Sequence, residues 1–258
     1  MNPSYSWLLC VQRHILLPLL ALLSSVGTST AAGADAGGYH PSRIKLDIPR
    51  IEQDNPRSYQ QIVHNKTFWI FPPVTQATVE TSQFLQYLRI AAHEAVLDVG
   101  TGSGVLAVFA ADRARRVVAL DIDPLAVENA RYNVVQHKLV DRIEVRQSDL
   151  FSGVGENEKF DVILFNVGDP GLNNADTFWA LHERFLSLAL AHLNPNGRIY
   201  SHTGYINLIG RMDQLVERYG LKIIEMHMWT ASLGSRQPIL LVLTPRAPDE
   251  KKLAPPTR

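Results

Sequence analysis

The stretch Val96-Leu97-Asp98-Val99-Gly100-Thr101-Gly102-Ser103-Gly104 constrains this chain more than any other. Apolar residues run into an acid and then into three glycines at alternate positions. An apolar run of this kind is a buried strand when turn chemistry closes it. Glycine has no Cβ, so the backbone there can turn sharply and come close to a ligand. Val105–Ala111 (VLAVFAA) then reads as a helix whose free N–H groups point back over the loop. A strand, a glycine loop and a helix in this order build a nucleotide site.

The glycine spacing narrows the choice of nucleotide. Dinucleotide sites carry G-x-G-x-x-G, whereas this loop reads G-x-G-x-G with Asp98 two residues ahead. A second strand, Arg116–Leu120, ends in Asp121 about 20 residues on, where such folds hold a ribose. Asp123 followed by Pro124 reads as a helix N-cap with proline at the first helical position. The pair V-L-D-V-G-T-G-S-G and V-V-A-L-D-I-D-P resembles the class I S-adenosylmethionine (SAM) dependent methyltransferases. In style it is nearest to the small-methyltransferase-domain enzymes that methylate glutamine side chains or RNA bases.

The resemblance implies SAM as cofactor and an α/β fold. That fold is a Rossmann-like, doubly wound seven-stranded sheet with an antiparallel last strand, preceded by a short N-terminal extension. It also implies that Asp98, Gly100, Thr101, Gly102 and Gly104 face the methionine end of SAM and that Asp121 holds the ribose hydroxyls. Asp149, closing a strand over Arg142–Arg146, accepts from the adenine amino group with Leu150 beside it. Ile122 offers an apolar wall to the adenine face.

Phe160–Phe165 reads as the central strand and empties into Asn166-Val167-Gly168-Asp169-Pro170-Gly171. In open α/β sheets ligands sit beyond the carboxyl ends of the strands, so this loop borders both cofactor and acceptor. The related amide and base N-methyltransferases carry N-P-P-[YF] here. This chain keeps Asn166 and departs from the rest, which leaves the glutamine or adenine acceptor without its motif. The candidates for acceptor chemistry are Asn166, to orient an N–H group, and Asp169 or His202, to take a proton. Trp69, Phe71, Trp179 and Tyr205 are candidates for an aromatic acceptor pocket.

Elsewhere, Thr67–Pro73 reads as a short strand stopped by prolines. A helix is predicted from about Val79 to Ala91, capped by Thr78, with Glu80-Thr81 loosely matching an acid-Thr pair of the same relatives. Further helices are predicted from Pro124 to about His137, over about 175–192 with Phe178, Leu181, Phe185, Leu188 and Ala189 inward, and over about 207–219. Leu221–Trp229 and Pro238–Leu243 read as an antiparallel hairpin.

Residues 1–34 carry Arg13 ahead of the apolar run Ile15–Leu23 and no acid before Asp35. They read as a secretory signal peptide or membrane anchor, with residues 8–26 as the membrane-associating part and a cytoplasmic protein as the alternative. Residues 35–92 are linker and extension, 93–245 the SAM-binding core, and 246–258 a disordered tail. Cys10 is the only cysteine and the nine histidines show no ligand spacing, so no metal site is expected. Twenty-five basic residues balance twenty-five acidic ones, which disfavours nucleic acid as partner and favours a protein or small-molecule acceptor. A catalytically degenerate SAM-binding domain and an NAD-dependent oxidoreductase are the competing functions.

Overall fold

In the computed structural model, the run that precedes the glycines is a fully buried strand, β3 (Ala95–Val99), and it lies inside a seven-stranded sheet. The structure describes residues 57–167, 175–205, 209–229 and 238–247. The expected leader and most of the linker, Asp169 and the tail beyond Ala247 lie outside the described residues; Arg246, expected in a disordered tail, pairs with Glu217 (2.9 Å). Before the sheet come β1 (Tyr59–Val63) and β2 (Lys66–Ile70), then the helix α1 (Val79–Tyr87). After β3 follow α2 (Val105–Ala111), β4 (Arg116–Asp121), α3 (Pro124–Gln136), β5 (Ile143–Gln147) and β6 (Phe160–Phe165). The chain continues through α4 (Ala175–Ala189), a short 3₁₀ turn, β7 (Leu193–Tyr205), α5 (Ile209–Arg218), β8 (Leu221–Met228) and β9 (Pro238–Pro245).

The sheet order is β5-β4-β3-β6-β7-β9-β8. From β3 the chain winds outward through β4 and β5, then returns to β6 and β7 on the other side, all in parallel pairings. The order therefore reverses between β3 and β6, and a crevice opens at the carboxyl ends of those strands. The last strand, β9, is antiparallel, as the sequence predicts, and it lies between β7 and β8. Alternation in β5 (buried, half-buried, buried) marks it as the opposite edge.

Two apolar clusters cover the two faces of the sheet. One gathers Val96, Val117 and Leu164 under α2 and α3; the other gathers Leu97, Ile163 and Leu241 under α4 and α5. Each such buried side chain contributes about 1.5–3 kcal/mol, enough collectively to hold the strand tips, and hence the crevice, in place.

Four departures from the sequence reading have local causes. Tyr59–Val63, read as linker, pairs with β2 as a hairpin through His64 and Asn65; His64 takes the left-handed backbone (φ 50°) that a two-residue loop demands. Helix α1 stops at Tyr87 rather than near Ala91. Leu88 is extended, Arg89 N–H donates to the Tyr200 hydroxyl (3.2 Å), the Arg198 guanidinium donates to the Arg89 carbonyl, and Ala91 N–H donates to Glu94. Tertiary partners on β7 thus take the groups that another helical turn would have used. In α4, Leu188 is exposed, and the buried stripe is Phe178, His182, Phe185, Leu186 and Ala189. Finally, Asn194-Pro195-Asn196-Gly197, whose composition reads as a turn, is absorbed into β7 as an irregularity, with Phe160 opposite Leu193 but Val162 opposite Arg198.

Candidate functional site

The glycine loop turns because three of its residues adopt backbone that other residues resist. Gly100, Gly102 and Gly104 have φ of 75°, 55° and 83°. At Gly100 a Cβ would also lie 2.7 Å from the Val167 side chain, so the loop and the tip of β6 meet at van der Waals contact only through glycine. Two backbone donors, Gly100 and Thr101 N–H, bond to the Leu120 carbonyl (2.8 and 2.9 Å). A third, Gly102 N–H, donates to Asp121 Oδ2 (2.8 Å) while Asp123 N–H donates to Asp121 Oδ1 (3.1 Å). Each carboxylate oxygen of Asp121 is thereby aimed by one N–H and keeps further lone pairs for a ligand. Asp123 itself caps α3 through Leu125 N–H (2.9 Å), as the sequence predicts.

Around the loop opens a cleft of about 680 Å³, large enough for a nucleoside-sized ligand. Its lining includes Asp98, Gly100, Thr101, Gly102, Asp121, Ile122, Asp149, Leu150, Asn166 and His202. Of the described residues expected to hold the cofactor or to move a proton, only Gly104 stands back from it, as the N-cap of α2, where its Cα faces Ala130. Asp169 lies outside the described residues. Asn166, just past β6, and His202, on β7, are far apart in sequence and both line the cleft; His202 is 6% exposed and its ring stacks on Trp229.

The aromatic acceptor pocket is not found among the described side chains. Trp69 and Phe71 pack against Tyr132 beneath α3, and Trp179 is buried between Phe178 and the Arg211 guanidinium. None of the three lines the cleft, whose described aromatic wall is Phe165. The Tyr205 side chain lies outside the described residues.

The electrostatics are one-sided. Five carboxylates line the cleft, from Glu80, Asp98, Asp121, Asp123 and Asp149, against one guanidinium, Arg184. Asp98 is 1% exposed and its Oδ2 accepts from the Thr101 hydroxyl (2.7 Å). Burial pushes its carboxyl up to about 7; the Thr101 hydrogen bond opposes the shift and the neighbouring Asp121 charge adds to it. Asp149 Oδ2 accepts from Arg184 (2.9 Å), while its Oδ1 has no partner among the described residues. Beside it Leu150 holds left-handed backbone (φ 51°), a strained state fixed by Ser148 Oγ donating to its carbonyl (2.7 Å).

Several contributors were missed in the sequence. Asn129 and Asn133, both fully buried on α3, hold β2 through Trp69 and Phe71, and Asn133 Nδ2 also donates to the Ser103 carbonyl in the glycine loop (2.8 Å). Two asparagines four apart beside the apolar stripe Ala126, Ala130, Val134 were the available signal. Arg184 and Leu181 bring α4 to the rim; only the helical spacing could have suggested them. Thr81, which the sequence did mark through the Glu80-Thr81 pair, accepts at Oγ1 from Thr78 N–H (3.2 Å) and stands 3.5 Å from Asn166 Nδ2, tying α1 to the tip of β6.

Comparison with known proteins agrees with this architecture. A family model described as "Methyltransferase small domain" matches residues 76–218. The ribosomal protein L11 methyltransferase of Bacillus subtilis (strain 168) is 46% identical over 229 residues, covering 83% of this chain and 68% of that protein. The Bacillus licheniformis enzyme of the same name is 47% identical over 152 residues, 56% of this chain and 48% of that protein. For the protein of that name from Heliobacterium modesticaldum the match spans only 25% of its length. The chain thus spans half or less of several of these curated relatives. Among solved structures, the ribosomal protein L11 methylase of Lactobacillus delbrueckii subsp. bulgaricus superposes with a TM-score of 0.55 at 22% identity, over 69% of this chain and 84% of that one. The M. jannaschii tRNA m1G37 methyltransferase superposes with a TM-score of 0.61 at 16% identity, over 74% and 57%. Both likenesses show the fold. The glycine loop, the reversed last strand and the matched span lead to one conclusion: the chain belongs to the methyltransferase small domain family, and its cofactor is S-adenosylmethionine.

Proposed function

We propose that this protein transfers the methyl group of SAM to a nitrogen or oxygen of a protein acceptor. The observation that carries the reading is the joint between the glycine loop and the end of β4, where Gly102 N–H fixes Asp121 with its carboxylate facing the cleft. A diol needs two aimed acceptors with spare lone pairs, and Asp121 has that form. Asp149 Oδ1 is available to an exocyclic amino group, and Ile122, 62% exposed on the rim, offers an apolar face. Asp98 and the backbone at Gly100 and Thr101 border the remaining, amino-acid part of the ligand.

SAM brings a methyl carbon already activated by its sulfonium. What remains for the chain is to exclude water and hold the acceptor at attack distance, a proximity effect, within fixed dipoles. Asn166 orients an acceptor N–H through its amide oxygen. His202, nearly buried beside it, takes the proton that the acceptor loses, with Asp169 as the alternative base. A protein acceptor is supported by the names of the relatives, which act on ribosomal protein L11. Residues 1–34 further suggest export or membrane attachment; cell fractionation that finds the intact chain wholly soluble in the cytosol sinks that part.

The test is calorimetric titration with SAM, its demethylated product S-adenosylhomocysteine (SAH) and NAD, on the protein and on Asp121→Ala. Loss of two charge-assisted contacts weakens SAM binding about a hundredfold. Transfer of labelled methyl to ribosomal protein L11 or a peptide panel then separates an active enzyme from a degenerate binding domain. NAD binding in place of SAM would overturn the reading.

A further inference from the structure

The five carboxylates of the cleft do not have equal standing. Asp98 is engaged by Thr101, Asp121 by Gly102 and Asp123 N–H, Asp123 by Leu125 N–H, and Asp149 by Arg184. Glu80 is the exception: it lines the cleft, is half-buried, and its carboxylate has no hydrogen-bond or ion-pair partner among the described residues. Its place is defined by its neighbour. Thr81 follows it in the first turn of α1 and stands 3.5 Å from Asn166 Nδ2. The contact of Thr81 thus puts the backbone of Glu80 near Asn166 at the tip of β6, whereas Asp121 and Asp149 follow β4 and β5.

A half-buried carboxylate without a partner gives up part of its hydration and regains it only from a donor supplied by a ligand. We propose that Glu80 is an acceptor-positioning residue: its carboxylate accepts a hydrogen bond from the N–H or O–H of the group to be methylated, and so selects acceptors that bring a donor or a positive charge to this end of the cleft. The proposal rests on the methyl-transfer reading above. No proton needs to pass to Glu80; it aligns the acceptor while Asn166 faces the same group from the tip of β6.

A competing explanation is purely local. Acids are favoured in the first turn of a helix by the free N–H groups there, and a Glu present only for that reason touches no ligand. The two accounts differ in what Glu80→Gln does to ligands that reach different distances into the cleft. Toward the acceptor, SAH presents only a neutral sulfur. Sinefungin, otherwise close to SAM, carries an ammonium-bearing carbon in place of the sulfonium and its methyl, and so presents N–H donors toward the acceptor end.

Calorimetric titration of the full chain with both ligands tests the proposal without knowledge of the natural acceptor. In Glu80→Gln, SAH affinity stays within about twofold and sinefungin affinity falls about tenfold, the effect of losing one charge-assisted hydrogen bond. Glu80→Asp, which keeps the charge one methylene shorter, recovers part of the loss. Retained SAH binding certifies that each variant is folded. An unchanged ratio of the two affinities, or a parallel loss of both, overturns the role of Glu80. Failure of the unsubstituted protein to bind either ligand overturns the methyl-transfer reading instead.

Discussion

Asp98 links the stability of the glycine loop to pH, and the sign of the link is opposite to that of most carboxylates. Its folded carboxyl is raised from 3.8 to about 7, first by burial. A group whose folded value lies above its unfolded one contributes stability fully below the unfolded value, and loses that contribution as pH rises through the folded value. The difference of about 3 units corresponds to about 4 kcal/mol over the whole range, of which about 2–3 kcal/mol falls between pH 8 and pH 5. Asp98→Asn removes the titration while keeping the shape and the contact with Thr101. Urea unfolding of both proteins at pH 5, 6, 7 and 8, read as the difference between them, cancels what all other groups contribute. The expected result is that the unsubstituted protein gains about 2–3 kcal/mol over Asp98→Asn as pH falls from 8 to 5, worth about 5–10 °C in Tm for a domain of this size. Parallel pH profiles would show that Asp98 ionises normally in the folded state and would refute the reasoning.

Glu158 has the ordinary sign. Its carboxyl is held down to about 2, where the Arg146 and Arg116 guanidinium groups at 2.7 and 2.6 Å outweigh the opposing effect of burial. Glu158→Gln costs about 1–2 kcal/mol at neutral pH, and the gap to the unsubstituted protein closes as pH falls from 4.5 toward 2, as urea titrations in acid will read. Gly100→Ala combines left-handed backbone with a 2.7 Å approach to Val167 and costs about 2–3 kcal/mol. Adding Val167→Ala recovers the steric part but not the backbone part, which a double-mutant cycle measures. Asn133→Ala leaves Trp69 and Ser103 backbone groups short of partners and costs about 3 kcal/mol. Limited proteolysis detects it as faster cleavage near Lys66, together with weaker SAM binding.

The parts of this fold legible in the sequence are those where one residue type answers one backbone need. The alternate glycines answer left-handed turns, Asp123-Pro124 answers a helix start, and the apolar run Phe160–Phe165 answers a strand covered on both faces. The described cleft residues predicted for the cofactor line it, save Gly104, which supports it from the start of α2. The illegible parts depend on partners distant in the chain. Leu88 is extended because Tyr200 and Arg198, more than a hundred residues on, hold its neighbour Arg89. Asn129 and Asn133 look like ordinary helix residues until β2 is laid against them. Glu80 reads as half of a loosely matched acid-Thr pair, and among the cleft carboxylates it is the engaged state of the other four that sets it apart. Leu188 illustrates the reverse error: its periodicity suits the stripe, but Leu186 and His182 take the covered positions.

The position of β9 bears on how the chain can assemble during synthesis. Because β9 lies between β7 and β8, β8 has nothing to pair with until the residues that follow it have been made. A growing chain that has completed β8 holds a five-stranded parallel sheet ending at β7, with an unpaired edge on which Ile199 and Ser201 await Leu243 and Leu241. Open edges of this sort recruit other strands, so nascent chains halted before Pro238 should be the species most dependent on chaperones. The closing strand also brings Pro238 to the cleft wall. Ligand-binding competence and escape from aggregation therefore arrive together, when β9 joins the sheet.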